Sequence, residues 1–551
     1  MSLRSMPEQT IPEETARVAR RAFPRGNRYL AVRDALGPLF DDARFAALYS
    51  ARGRPAESPW RLALICVFQA SEGLTDRQAA EAVQGRIEWK DALGLDLADE
   101  GFHFSVLGRF RDRLLAGTAE SALLDAVLEH CKAHGYLPER GRQRTDATHV
   151  LGLVRTLNRL ERVGEMRRAA LTALATADPA WLQGHSDPAW AERYGRRVEE
   201  YRLPKGEAAR AAYGAQIGVD GLLLLAAVAD TDALAALRRL GAVERLRQVW
   251  VQQYVVIDGA VRLRTVEELP PSAAQIVSPY EEEVRFATKR QTSWVGDKVQ
   301  LTETVTGPEQ PQLITQVTTT LATTADVTQV EPIQQALADA DLLPAEHVVD
   351  TAYLSGHTLT VSAARGIELL GPMYADHQWQ AKAGTGFALA DVTIDWAAQT
   401  ATCPQGHESR MWSPYTDAQR GPLITVAFAA GDCVPCPVRD QCTRAVAGKP
   451  RQLTLRVQPD QQAIVAARER QQQPDFAARY AARAGIEGTL SQGLRTTGLR
   501  QARYRGLAKT HLQELAGAAA INRRRIHAHL LGRPRATTRR SPLRSLLAPA
   551  A

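Results

Sequence analysis

YAARAGIEGTLSQGLRTTGLRQARYRGLAKTHLQ, residues 480–513, begins as a helix and ends as a run of cations. Its one carboxylate is Glu487. Tyr480, Arg483 and Glu487 are spaced i, i+3 and i+7, so they share a helix face. The segment turns at Gly498, and Arg500, Arg503, Arg505 and Lys509 follow with no acid among them. A single carboxylate beside such a run suits a site that handles metal and phosphate together. Equally, Arg483 and Glu487 make an i,i+4 surface pair and the cations a solvated face. The choice depends on whether other acids reach the same place.

Working outward, the whole chain of 551 residues is long enough for about three or four domains. Its net charge of +7 comes from 68 basic and 61 acidic side chains, a mild excess. The excess is concentrated: Arg483 to Arg540 holds 13 Lys/Arg against two acids, Glu487 and Glu514. A basic C-terminal block points to a polyanionic partner. No apolar run in the sequence reaches the ~18 residues of a membrane span. The start, MSLRSMPEQTIPEE, lacks the apolar core of a signal peptide. The expected location is the cytoplasm, without membrane attachment. Six cysteines do not make a disulfide scaffold.

Residues 1–140 read as helical. SPWRLALICVFQASEGL is a dense apolar helix, TDRQAAEAVQG follows with Thr75 as N-cap, and FSVLGRFRDRLLAG makes a third helix with Ser105 as its cap. Short helices and short turns fit a helix-turn-helix DNA-binding module, or a dimerisation bundle. RTDATHVLGL then reads as a strand with Asp146 near its middle, where a carboxylate is costly unless paired or metal-bound. Residues of about 155–265 return to helix, with charges alternating with Leu and Ala, as an inserted subdomain. VRFATKRQTSWVGDKVQLTETV reads as a hairpin turning near Trp294–Asp297, and PQLITQVTTT as a further strand. A helix follows. Val348 and Val349 then deliver Asp350 to a strand end, before another helix and strand. Carboxylates at strand ends suit an open α/β sheet, where sites collect at such ends.

The span 374–478 interrupts that order. Cys403 opens a CPxG turn, Cys433 and Cys436 form a C-x-x-C knuckle, and Cys442 lies six residues further on. Two cysteine-bearing turns separated by a strand pair fit a structural tetrahedral zinc site, with His407 able to replace one thiolate. Reduced structural cysteines are the other reading. The end of the chain, 532–551, is rich in Pro, Arg and Ser and reads as a disordered basic tail.

Asp146 and Asp350 on strands and Glu487 on a helix are the acidic oxygen set that two-metal phosphoryl chemistry needs. At this point the sequence resembles the DDE transposases of bacterial insertion sequences, in the subgroup with a cysteine-bearing insertion. The resemblance rests on TDATHV at 145–150, SPYEEEVRFATKRQTSWVGDKVQLTET at 278–304, VVDTAYLSG at 348–356, CPQGH with CVPCPVRDQC, and 483–513. Tyr480, Arg483 and Glu487 match the Y-x2-R-x3-E signature of that family. The resemblance spans about residues 25 to 530.

The resemblance implies an α/β fold with an RNase H-like mixed sheet, interrupted by a helical and a zinc-knuckle insertion and preceded by an all-helical domain. The implied boundaries are 1–140 for the N-terminal DNA-binding domain and 141–373 for the first part of the core. The Cys insertion is 374–478, and the catalytic helix with the basic part of the core is 479–531. Asp146, Asp350 and Glu487 fall at the three catalytic positions and would hold two Mg²⁺ or Mn²⁺ ions. Arg483 would contact DNA phosphate and Tyr480 would lie near the scissile strand. Arg500, Arg503, Arg505 and Lys509 would hold the phosphates of the cut strand, and Lys298 stands where the family's G-Y-K-x-H stretch has its lysine. Cys403, Cys433, Cys436 and Cys442 would hold structural Zn²⁺. The implied reaction is cleavage of double-stranded DNA at terminal inverted repeats and strand transfer into target DNA. The implied assembly is a homodimer on DNA, in the bacterial cytoplasm and at the nucleoid when bound.

Four positions depart from the family pattern: Leu494 for a lysine, Asp297 for a tyrosine, Gln300 for a histidine and Ala352 for a glycine. None is a metal ligand. They leave open a decayed transposase that only binds DNA. An RNase H-like nuclease of repair or RNA processing is a third alternative.

Overall fold

The computed structural model describes residues 2–3, 10–230, 235–384, 386–418 and 420–535. Its centre is a six-stranded mixed sheet. The strands are β1 (Arg142–Leu151), β2 (Arg285–Lys289), β3 (Thr292–Val305), β4 (Ile314–Leu321), β5 (Glu346–Val348) and β6 (Glu368–Leu370). The order is β2-β3-β1-β5-β6, with β4 also pairing β3. β1 runs antiparallel to β3 and parallel to β5, and β5 runs parallel to β6. β1 is buried along nearly its whole length, as a central strand must be. Thr145 ties the middle together, its hydroxyl lying 2.6 Å from both Thr302 Oγ1 and His347 Nε2.

The hairpin turn lies elsewhere than the sequence suggests. β2 and β3 pair Lys289 with Thr292, so the chain reverses at Arg290 and Gln291, with Arg290 at φ 57°. Trp294 is buried, and an aromatic of that size is not left on a turn. Gly296 marks a close approach instead: a Cβ there would lie 2.1 Å from the Val150 carbonyl oxygen.

Seven helices lie between Glu13 and Ala133. Thr75 caps Asp76–Gly85 in a capping box with Gln78, as read from sequence. Ser105 does not cap its helix. Phe104 holds the cap position, Ser105 is the first helical residue, and its hydroxyl pairs with His103 Nδ1 at 2.9 Å. The Pro59–Glu72 helix is buried almost all round because it lies against the last helix, Leu507–Leu530. That helix is Ala- and Gly-rich over 514–520 and packs on β4 and on Ala122–Ala133 as well. The Asn522 side chain bonds both backbone groups of Ile314, at 2.7 and 2.8 Å. One hydrophobic core therefore runs from Tyr29 and Trp60 through Leu301 and Val317 to Ile486 and Ile521.

The two insertions have cores of their own. Helices from Arg159 to Gln253, closed by a hairpin of Tyr254–Ile257 and Ala260–Leu263, bury Val163, Ile217, Leu246 and Trp250 together. The sequence reading has no hairpin there. It also finds no membrane-length apolar run, whereas Glu207–Ala229 is long and apolar enough to be one by composition. One face of that helix packs into the insertion and carries buried Asp220, bonded to the Tyr194 hydroxyl at 2.7 Å. Between Thr393 and Arg456 five short strands form the cysteine-bearing module around Val426 and Leu455. The following helix, Gln458–Gln471, returns to the central fold and packs on Gly356–Ala364. Residues 536–551, most of the expected disordered tail, lie outside the described residues.

Candidate functional site

Side chains alternate along β1, so Arg144 and Asp146 project to the same face. Against that face lies the helix Gly485–Thr496, entered through a short 3-10 turn, Ala482–Ala484. Asp350 follows β5 by two residues and caps the next turn, accepting from the Ala352 amide at 2.9 Å. Glu487 lies in the first turn of the helix.

Arg483 joins the three acids. Its Nη2 lies 2.6 Å from Asp146 Oδ2 and 3.8 Å from Asp350 Oδ2, and its Nη1 lies 3.2 Å from Glu487 Oε1. Carboxylates from positions 146, 350 and 487 thus meet around one guanidinium. The environment is graded: the Asp146 side chain is 9% exposed, Asp350 25% and Glu487 67%. Burial pushes the Asp146 carboxyl above its ordinary range, and the Asp350 charge adds to this. Arg483 and the Ala147 amide pull the other way without cancelling it. Burial works against the Arg483 charge, yet Asp146, Tyr480, Asp350 and Glu487 together raise its pKa. Tyr480 stacks on Phe476 at 5.9 Å, half-buried beside the cluster. Tyr353 is fully buried under the two aspartates, and its hydroxyl has no hydrogen-bond partner among the described residues.

Three carboxylates form a donor set of the right chemistry for a hard divalent cation. As drawn, the oxygens are arranged around Arg483. Among the described residues no group of three or more His, Cys, Asp or Glu side chains is close enough to hold an ion. The four cysteines, with His407, line one pocket in the insertion module. All four are free thiols, and the Cys442 sulfur accepts from Arg451 Nη1 at 3.0 Å. They share a pocket without converging on a tetrahedral point, so the structure lends the zinc site no ligand geometry.

The basic residues are more engaged than their sequence suggests. Arg500 Nε donates to the Thr148 hydroxyl at 2.7 Å, and Arg503 to the Leu74 carbonyl at 2.6 Å. Lys509 pairs with Asp112 at 3.0 Å. Lys298 is mostly buried and bonds the Thr324 carbonyl at 2.6 Å and Asp326 at 2.9 Å. Arg505 is exposed beside Glu281. Arg523, counted in the basic block, lies inside the core with its guanidinium 4.3 Å from the Tyr29 ring centroid.

Sequence reasoning missed what the 278–283 motif does. Glu281 and Glu283 accept from the Gly506 and Leu507 amides, each at 2.7 Å, at the start of the last helix. Their position before a β-hairpin, far from that helix in sequence, gave no sign of this. It also missed Glu303, fully buried behind the cluster. An acid inside the apolar-alternating β3 was the available signal.

Two family models match the chain. Residues 402–527 match one described as a transposase DDE domain, and residues 17–113 match one described as a transposase domain (DUF772). The first covers the four clustered cysteines and Glu487; Asp146 and Asp350 lie outside both. No curated protein and no solved structure matches the chain. A DDE domain implies a transposase that acts on DNA and a class of enzyme that works with divalent metals. Together the two matches support a DDE transposase of an insertion sequence, with residues 114–401 lying outside both.

Proposed function

We propose that this chain cuts DNA at the terminal inverted repeats of its own element and joins the freed 3′-hydroxyl to target DNA. Asp146, Asp350 and Glu487 are the catalytic acids. The observation that carries the reading is their meeting around Arg483 from three separate parts of the chain. The strand arrangement supports an RNase H-like core: three strands antiparallel in sequence order, β1, β3 and β4, then two parallel ones, β5 and β6.

The three carboxylates would hold two Mg²⁺ or Mn²⁺ ions, which supply Lewis-acid activation of the attacking oxygen and stabilisation of the leaving one. The remaining roles belong to the protein. Arg483 neutralises the acids in the free chain and turns to DNA phosphate when the strand is bound. Tyr480 walls the site beside it, and exposed Arg505 would contact DNA phosphate. Cys403, Cys433, Cys436 and Cys442, which line one pocket, would be the ligands of a structural Zn²⁺ that closes the module when bound. Pairing two element ends calls for at least a homodimer on DNA, in the bacterial cytoplasm.

A second reading, DNA binding without catalysis, has one observation in its favour. Asp297 and Gln300 are buried in β3, and among the described residues their side-chain oxygens and the Gln300 amide nitrogen have no hydrogen-bond partner. The test is cleavage of the gene's own flanking DNA with Mg²⁺. Asp146→Ala, Asp350→Ala and Glu487→Ala should each lower the rate at least ~10³-fold while end binding persists. A wild-type chain that binds the ends but never cuts them would favour the second reading.

A further inference from the structure

Behind the acid cluster lies a second ionic group, built around the fully buried Glu303. Glu303 of β3 pairs across the sheet with Arg144 of β1, two residues before Asp146. Its Oε1 is 2.6 Å from Arg144 Nη2, and its Oε2 is 2.7 Å from Arg525 Nη1. The Thr489 hydroxyl donates to the same Oε2 at 2.6 Å. Arg144 also donates to the Ala482 carbonyl at 2.5 Å. One carboxylate therefore reaches both ends of a short segment: Ala482 immediately precedes Arg483, and Thr489 lies two residues after Glu487. Gly485, inside that segment, packs directly on Arg144. A Cβ there would lie 2.0 Å from Nη1.

Buried ion pairs are poor sources of net stability, and an apolar cluster of similar volume would hold the fold as well. What this group supplies is geometry. Arg144 leaves β1 on the face that carries Asp146, so the strand bearing one acid grips the segment bearing another. No part of the cluster is free to shift without opening a buried charge.

We propose that Glu303 is a positioning residue: through Thr489 and Arg144 it fixes the Arg483–Glu487 segment against β1 and so sets the spacing of Asp146 and Glu487 for a divalent cation. This rests on the reading of the triad as a metal site. Outer-shell partners of ligating groups typically cost ~10–100-fold in metal affinity when removed.

The experiment is Mn²⁺ titration of the full chain, followed by the electron paramagnetic signal of free Mn²⁺, with thermal melting alongside. Thr489→Val keeps both ion pairs and the side-chain volume, and removes the hydroxyl with its two hydrogen bonds, one donated to Glu303 and one accepted from Arg525. It should weaken Mn²⁺ binding ~10-fold with a melting midpoint within a few degrees of wild type. Thr489→Ser should restore binding. Glu303→Gln should weaken binding at least as much; if it does not fold, Thr489→Val still decides. Asp146→Ala separates the two levels of the argument. If it binds Mn²⁺ as wild type does, the triad is not the metal site and the proposal falls with that reading. If it loses binding while Thr489→Val matches wild type, the triad stands and the positioning role of Glu303 is overturned.

Discussion

Arg483 sits between an acid four residues along its own helical segment and another on the central strand β1. In sequence it is an i,i+4 partner of Glu487, and that pair does exist, at 3.2 Å. The tighter contact is with Asp146, 337 residues away, at 2.6 Å. The guanidinium therefore offsets the mutual repulsion of three acids in the DNA-free protein. Asp297 shows the opposite case, a buried acid with no such partner. Burial first, then the charges of Glu281 and Glu283, push its carboxyl up to about 7. The folded state keeps a proton that the unfolded state gives up near pH 4, so stability falls as pH rises from about 4 to 7 and stays reduced above that. Asp297→Asn should raise the melting midpoint by several degrees at pH 8, where the aspartate is charged, and hardly at all at pH 5. Melting scans at the two pH values measure this. An equal shift at both would mean that the charge is not the cause.

At the scale of elements, the segment from Ala482 to Thr496 works only because Arg144 can lie under it. Gly485→Ala should force that guanidinium aside and destabilise the fold by about 1–3 kcal/mol, as overpacking does. Urea denaturation would show it as a lower midpoint at unchanged slope. Gly488 has open space and no left-handed backbone, so Gly488→Ala serves as the matched control. In the cysteine module, strand pairing and the Val426 core hold the scaffold while the thiols only share a pocket. Protein purified without chelator should contain about one zinc per chain, and chelation should lower the melting point of this module. A trace amount by atomic absorption would leave the thiols as reduced cysteines.

For the whole molecule, the decisive fact is the path of the core. The N-terminal helices share their apolar interior with the last helix and with β3 and β4. The helical insertion keeps its own. Removing residues 1–140 should therefore expose the Leu507–Leu530 helix and give insoluble or molten protein. Replacing 155–265 with a short Gly/Ser linker should leave a chain with a cooperative unfolding transition. Circular dichroism melts of the two deletions would separate these outcomes, and a soluble, cooperatively melting 141–535 fragment would refute the first.

The sequence by itself determined what local chemistry determines. Runs of β-branched and apolar residues marked β1 and the strand before Asp350. Helical spacing and caps such as Thr75 marked the helices, and resemblance to the family's Y-x2-R-x3-E signature marked Glu487. Asp146 is legible as a costly acid within a strand that needs a partner, and Asp350 as an acid at a strand end. Only the tertiary structure decided what that partner was, because Arg483 reaches Asp146 across 337 residues and no periodicity encodes such a contact. The same holds for the basic run. A row of arginines has one appearance in sequence, yet Arg505 is exposed, Arg503 is bound to backbone carbonyls and Arg523 lies on a tyrosine ring in the core. Burial separates them, and burial belongs to the packed chain as a whole.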